Sequence, residues 1–231
     1  MDRLAGWMRG SVKVLFALMG IAVAAYAFLY LYRHHSVRDP FAAQFAVSGW
    51  DVPAHFFAAG LALLLAPFQL DGRLRMRWPA VHRASGWVYT AAVMIGGVSG
   101  LSLAVNAQGG LPSRSAFVLL SIAWLLTTAL GIRHAVAGDI ARHRRWMCRS
   151  VALTFAAVTL RLILGTGIGL LQLSPMPVYI ASAWLSWTLN LAICELLLRY
   201  PRILEPGRPV RPAPVRTVAG DSRSGSPPAG V

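Results

Sequence analysis

The sequence predicts an all-α fold, a polytopic bundle of six transmembrane helices with both termini in the cytoplasm. Hydrophobic residues make up 56% of the 231-residue chain and charged residues only 13%, against about 25% charged residues in soluble domains. The apolar residues also form six runs that are long enough to cross a hydrocarbon core of roughly 30 Å. These two observations exclude a soluble globular domain.

The six apolar runs define the predicted spans. They are Val12 to Tyr32, Val52 to Leu70, Gly86 to Asn106, Ser115 to Ala135, Ser150 to Leu173 and Val178 to Leu198. The first run follows basic residues, as the core of a signal peptide does, but its length of about 20 residues is typical of a membrane anchor. Only a short turn with Pro175 and Pro177 separates the last two runs, so their helices should be antiparallel neighbours.

The basic residues indicate the orientation. Arginine and lysine beside a span are preferentially kept in the cytoplasm, and they are concentrated in residues 1–11, 71–85, 136–149 and 199–231, with few in the alternate loops. Both termini are therefore predicted to be cytoplasmic, in a bacterial inner membrane. Residues 1–11 form a cytoplasmic N-terminus, 12–200 the transmembrane domain, and 201–231 a disordered tail rich in proline, glycine and arginine.

A formal charge of +14 also raises the question of a nucleic-acid partner. Nucleic-acid binding needs a basic face on a folded domain, whereas these charges lie between apolar runs. We therefore expect contact with the lipid bilayer and its anionic headgroups, and no nucleic acid.

Two histidines at the starts of predicted helices indicate a haem site. His82 precedes the third span and His143 the fifth, so both imidazoles should lie at one membrane depth on separate helices. That arrangement could hold one b-type haem, with Arg83 and Arg149 near its propionates. The alternative is that interfacial histidines simply meet water and lipid phosphate. Three histidines could also form a zinc site, but no ligand spacing supports one. The two cysteines, Cys148 and Cys194, form no C-x-x-C.

Arg161 lies near the middle of the fifth span, where a charge costs about 2.5–3.5 kcal/mol on insertion scales. Asn190 and Glu195 of the sixth span are the expected partners, and His55 is a further polar residue at the start of the second span. Arg161 is consistent with two roles. One is a buried site that binds an anion or is linked to proton movement, and the other is a structural clamp between helices. The pairs Gly96 and Gly100, and Gly165 and Gly169, favour close helix packing over a slot for a flat cofactor.

Two sequence blocks carry a family resemblance. Residues 79–89 read PAVHRASGWVY, and residues 143–150 read HRRWMCRS and are followed by LTFAAVTLR at 153–161. Together they resemble the bacterial membrane proteins grouped as domain of unknown function 2306, over about 52–173. The resemblance implies a role for His55, His82, Arg83, Gly86, Tyr89, His143, Trp146, Met147, Arg149 and Arg161, and implies no activity. A looser similarity is to the ascorbate-dependent b-type cytochromes.

The sequence is consistent with three functions. One is a membrane redox protein that holds a b-type haem and exchanges electrons with a membrane redox partner or quinone. Another is a small-molecule or proton-linked transporter built around Arg161. The third is a structural or accessory membrane protein. The sequence contains no nucleotide-binding, zinc-protease or serine-hydrolase motif, and whether the protein is an enzyme stays undecided.

Overall fold

A computed structural model describes residues 2–32 and 49–200. In these ranges the chain is helical and contains no strand, so the predicted all-α fold is confirmed. The helices are α1 (Asp2–Tyr32), α2 (Asp51–Leu70), α3 (Gly72–Arg77), α4 (Pro79–Val105), α5 (Leu111–Val136), α6 (Ile140–Thr154), α7 (Ala156–Leu164) and α8 (Pro175–Arg199). A π-helical turn, Gly165–Leu170, follows α7. The predicted tail lies outside the described residues.

Six helical segments are long and apolar enough to cross a membrane, which confirms the predicted number of spans. Five of them are α1, α2, α4, α5 and α8, and the remaining one runs from Ile140 to Leu170 through α6, α7 and the π-helical turn. The sides of the membrane on which the termini lie stay a prediction.

Several helices begin earlier than the apolar runs that predict them. The third spanning helix begins at Pro79 instead of Gly86, and the fifth at Ile140 instead of Ser150. A hydropathy criterion ends a span at the first charged residues, whereas a helix extends to its cap. The carboxylate of Asp139 caps α6 by accepting a hydrogen bond from the Arg142 amide at 3.0 Å, as an N-cap residue typically does.

The fifth span is interrupted, which the sequence analysis did not predict. Helical geometry breaks at Phe155, between α6 and α7, although neither proline nor glycine occupies this position. The Phe155 ring stacks on Phe16 of α1, with centroids 3.5 Å apart and planes 12° apart. A contact with another helix therefore coincides with the break.

Neighbouring helices pack in chain order, with α1 against α2, α2 against α4, α4 against α5, α5 against α6, and α7 against α8. The core between them contains Leu63, Tyr89, Val93, Trp124 and Val151, all at most 6% exposed. Large apolar side chains on the outside of the bundle are exposed, as is expected for helices that face lipid.

The two glycine pairs have different surroundings. A Cβ on Gly96 would lie 3.4 Å from the Trp124 ring, and one on Gly100 would lie 3.0 Å from the His55 ring, so this pair allows close side-chain packing. A Cβ on Gly165 or Gly169 would meet no atom within 4 Å among the described residues. The prediction of close packing therefore holds for the first pair, whereas the second pair makes no such contact among the described residues.

We name the two ends of the bundle by their connections. The basic end is formed by residues 71–78 and 137–139, and the opposite end by residues 49–50, 106–110 and 171–174. These two terms are used below without reference to the side of the membrane.

Candidate functional site

A cavity of about 620 Å³ lies in the half of the bundle toward the opposite end. All six spans contribute to its wall. Most of the lining is aliphatic or aromatic, and the side chains of Tyr30 and Phe56 stack on one another with centroids 4.4 Å apart. The polar part of the wall includes His55, Asn106, Gln108 and Arg161, with no aspartate or glutamate among the described lining residues.

Arg161 contributes the positive charge of this cavity. Its Nη1 atom donates a hydrogen bond of 2.9 Å to the carbonyl of Ala157, one turn earlier in α7. The guanidinium also lies over the ring of Tyr26, 5.1 Å from the centroid, a cation–π arrangement. Neither contact brings a formal negative charge, and no carboxylate within the described ranges pairs with Arg161.

His55 lines the same cavity and has a fixed orientation. Its Nδ1 atom donates a 2.8 Å hydrogen bond to the carbonyl of Gly96, because a carbonyl oxygen can only accept. The ring lies against Gly100, where a Cβ would be 3.0 Å away. In the neutral ring this arrangement leaves Nε2 as a hydrogen-bond acceptor with no protein partner in the described part of the chain.

One buried hydroxyl of the wall also lacks a partner. Ser186 of α8 lines the cavity at 0% exposure, and its Oγ atom makes no hydrogen bond to the described residues. Buried hydroxyl groups in proteins are normally hydrogen-bonded.

The structure places neither expected partner beside Arg161. Asn190 accepts a 2.9 Å hydrogen bond from the Thr159 hydroxyl and donates one of 3.1 Å to the carbonyl of Ala152, so it bridges the break between α6 and α7. That carbonyl lies in the last turn of α6, where helical partners are missing. Asn190 therefore makes its hydrogen bonds at the break between α6 and α7 and not with Arg161.

Glu195 pairs with Arg149 instead of Arg161. Two nitrogens of Arg149 donate to the two carboxylate oxygens, with the Nη2 to Oε2 distance at 3.0 Å. The guanidinium of Arg149 also lies 4.7 Å from the centroid of the Trp146 ring. The pair is at the basic end, away from the cavity, and joins α6 to α8.

The two histidines of the predicted haem site both lie at the basic end, His82 in the first turn of α4 and His143 in the first turn of α6. His143 donates from Nδ1 to the carbonyl of Gly131 at 2.8 Å, whereas Nδ1 of His82 is buried without a partner among the described residues. Neither residue lines the cavity, and Arg83 is exposed. Within the described ranges, no group of three or more histidine, cysteine or acidic residues could hold a metal ion.

A buried hydroxyl network is the main polar feature that the sequence analysis missed. The Tyr89 hydroxyl lies 2.8 Å from those of Ser150 and Thr154, and the Ser150 hydroxyl lies 2.6 Å from that of Thr128. Trp124 donates to Thr154 at 2.9 Å. The network joins α4, α5 and α6 on the side of the cavity toward the basic end. Trp124 and Thr154 belong both to the network and to the cavity wall. Tyr89 was implied by the family resemblance, but isolated serines and threonines in apolar spans gave no signal.

Comparisons with known proteins identify a family and nothing more specific. A family model described as predicted membrane protein (DUF2306) matches residues 52–198, which is more than half of the chain. No curated protein and no solved structure matches the chain.

Proposed function

The chain belongs to the predicted membrane protein family DUF2306, and from that premise we propose that it binds a small amphipathic anion in the cavity and carries it within the membrane. The anionic group would lie at Arg161 and the apolar part against the aliphatic and aromatic wall. The observation that carries this proposal is a cavity-lining guanidinium with no carboxylate partner in the described ranges.

The charge of Arg161 supports a negatively charged ligand. A cation in the interior of a membrane protein is costly and typically pairs with another charge or lines a substrate pathway. Its two contacts, a carbonyl and an aromatic ring, stabilise it only through dipoles and the ring quadrupole. An anion in the cavity would supply the missing charge.

The wall supports an apolar ligand body. Small-molecule sites are usually concave, mostly apolar and about 300–1,000 Å³ in volume, with a few polar groups that fix orientation. The cavity of about 620 Å³ has this composition, with Leu103, Phe117, Leu120 and Leu160 in its wall. A fully polar anion would leave these surfaces without contacts.

Binding of two matched amphiphiles tests the proposal. We expect the purified protein in dodecyl maltoside to bind decanoate at least tenfold more tightly than decyltrimethylammonium, measured by calorimetric titration. Arg161→Met should weaken decanoate binding at least tenfold, because hydrogen bonds to charged groups contribute about 1.5–3 kcal/mol. Arg144→Met is the matched control, since Arg144 lies exposed in the same span. Equal binding of both amphiphiles by the wild-type protein would contradict the proposal.

A b-type haem between His82 and His143 is a second proposal, with narrower support. The Nδ1 bond of His143 to a carbonyl is typical of a histidine that binds a metal through Nε2. His82 lacks such a bond in the described residues, so the residues fit a haem only in part. A reduced-minus-oxidised optical spectrum tests it. Sharp haem bands that disappear in His82→Ala and His143→Ala would support a haem, and a colourless protein from haem-replete cells would exclude it.

A further inference from the structure

We propose that the anionic group bound in the cavity is a singly protonated phosphate, as in an alkyl or lipid phosphate monoester, held by Arg161 and His55 together. This inference rests on the proposed function, because it specifies which amphipathic anion the cavity binds. It adds a role for His55 that the binding of anions in general does not require.

The two side chains offer opposite hydrogen-bonding groups. Arg161 can only donate. His55 already uses Nδ1 to donate to Gly96, so the neutral ring can only accept at Nε2. A ligand group that satisfies both must accept from a guanidinium and donate to an imidazole.

Few anions combine these properties. A phosphate monoester with one proton has oxygens that accept from Arg161 and one P–O–H that donates to His55. A carboxylate or a sulfonate has no hydrogen to donate. The dianion of the phosphate meets the same requirement by taking up one proton, which then lies between a phosphate oxygen and Nε2 of His55.

The positions of the two residues support joint binding. His55 on α2 and Arg161 on α7 line one cavity. The other titratable side chains of the described wall are Tyr26, Tyr30 and Tyr179. Asp51, one turn before His55, accepts a hydrogen bond from Ser102 and does not line the cavity. Apart from His55 itself, Arg161 is thus the charged side chain of the described wall.

Three probes separate phosphate recognition from general anion binding. Decyl phosphate, decyl sulfonate and inorganic phosphate are titrated into the wild-type protein between pH 5.5 and 8.5. The second ionisation of a phosphate monoester falls at about pH 6. Above it, we expect the affinity for decyl phosphate to fall toward tenfold per pH unit, because each binding event takes up one proton. The affinity for decyl sulfonate should change less than twofold.

The same titrations compare the probes at pH 6. Decyl phosphate should bind about tenfold more tightly than decyl sulfonate, and inorganic phosphate at least tenfold more weakly than decyl phosphate, since it has no apolar part. In His55→Phe the two decyl compounds should bind equally well, and the pH dependence for the phosphate should disappear. Arg161→Met should weaken both.

Each contrary outcome has a separate meaning. Equal, pH-independent binding of phosphate and sulfonate by the wild-type protein overturns the phosphate inference and leaves the proposed function intact. Absence of binding of every amphipathic anion overturns both. Inorganic phosphate that binds as tightly as decyl phosphate overturns the lipid-like ligand in favour of free phosphate. The wild-type comparison decides these outcomes even where His55→Phe fails to fold.

Discussion

At the scale of single residues, Arg161 differs from Arg149, another partly buried arginine of the same span. Arg149 has a carboxylate partner in Glu195, whereas Arg161 contacts a carbonyl and a tyrosine ring. An arginine with a structural role should stabilise the fold, whereas an arginine that binds a ligand is expected to destabilise the ligand-free protein. The two arginines therefore make opposite predictions about stability.

Replacement of Arg161 by methionine should stabilise the ligand-free protein by about 1–3 kcal/mol, because removing an uncompensated interior charge relieves its desolvation cost. Thermal denaturation in dodecyl maltoside measures this change. A clear loss of stability would contradict a ligand role and would indicate that the contacts with Ala157 and Tyr26 make Arg161 a structural clamp.

Replacement of Glu195 by glutamine should destabilise the protein by about 1–2 kcal/mol, since it leaves the partly buried Arg149 without its counter-charge. The matched control is Asp139→Asn. Asp139 forms an exposed pair with Arg142, and asparagine caps a helix as well as aspartate does. Equal effects of the two substitutions on the unfolding midpoint would show that the Arg149 pair contributes no more than a surface pair.

The sequence predicted which residues are polar within the spans but not how they pair. Arg161, Asn190 and Glu195 were all identified, yet Asn190 bonds to Thr159 and Ala152, and Glu195 to Arg149. A shift of one helical turn, about 5.4 Å, changes which side chains of a neighbouring helix a polar group can reach. Hydropathy does not fix depth to that precision, so the pairs required the structure.

At the scale of helices, the spans were predictable because length and apolar composition are local properties. The break at Phe155 was not, since it has no proline or glycine signal and coincides with a contact to Phe16 of another helix. The early start of α6 follows from its cap at Asp139 and from a basic first turn that hydropathy excludes, whereas α4 begins at Pro79, a residue that suits the first helical position. Tertiary contacts and caps thus account for most differences from prediction.

The hydroxyl network predicts different effects for two adjacent threonines of α5. The Thr128 hydroxyl lies 2.6 Å from that of Ser150 on α6, whereas Thr127 donates only to backbone carbonyls of its own helix. Thr128→Val should therefore destabilise the protein by about 0.6–1.7 kcal/mol, the mean and the maximum measured for hydrogen bonds between membrane helices. Thr127→Val should change stability by less than half as much.

Unfolding midpoints of the two variants in one detergent provide the measurement. Equal midpoints would contradict a contribution of the network to the association of α5 with α6. The comparison is well controlled, because both side chains are buried and both substitutions remove one hydroxyl.

At the scale of the whole molecule, the distribution of arginines predicts orientation. Arg73, Arg83 and Arg144 are exposed at the basic end, and basic residues there favour the cytoplasmic side and its anionic lipids. Impermeant maleimide should label Leu111→Cys, at an exposed position of the opposite end, in intact spheroplasts. It should label Arg144→Cys only after permeabilisation.

Labelling of the two cysteines in the reverse order would contradict the proposed orientation. The native thiols interfere little, because Cys194 is buried and Cys148 is partly buried. The orientation bears on function, since the proposed orientation would place the cavity in the outer half of the bilayer.

The family assignment was predictable from two short blocks, and the model of that family matches residues 52–198. The cavity was not predictable, because its wall combines residues from every span and appears only when the helices are packed. His55 and Arg161, which the family resemblance implied, lie together in that wall. His82 and His143, the predicted haem ligands, lie at the other end of the bundle.

Photolabelling with an alkyl carboxylate that carries a diazirine in its chain tests the central claim most directly, because mass spectrometry shows which residues the bound chain contacts. We predict labels on cavity residues such as Tyr26, Phe117 and Leu160, removed by excess decyl phosphate and absent from Arg161→Met. Labels confined to lipid-facing residues such as Leu18, Val98 and Leu185, unchanged by the competitor, would contradict binding of an amphipathic anion in the cavity.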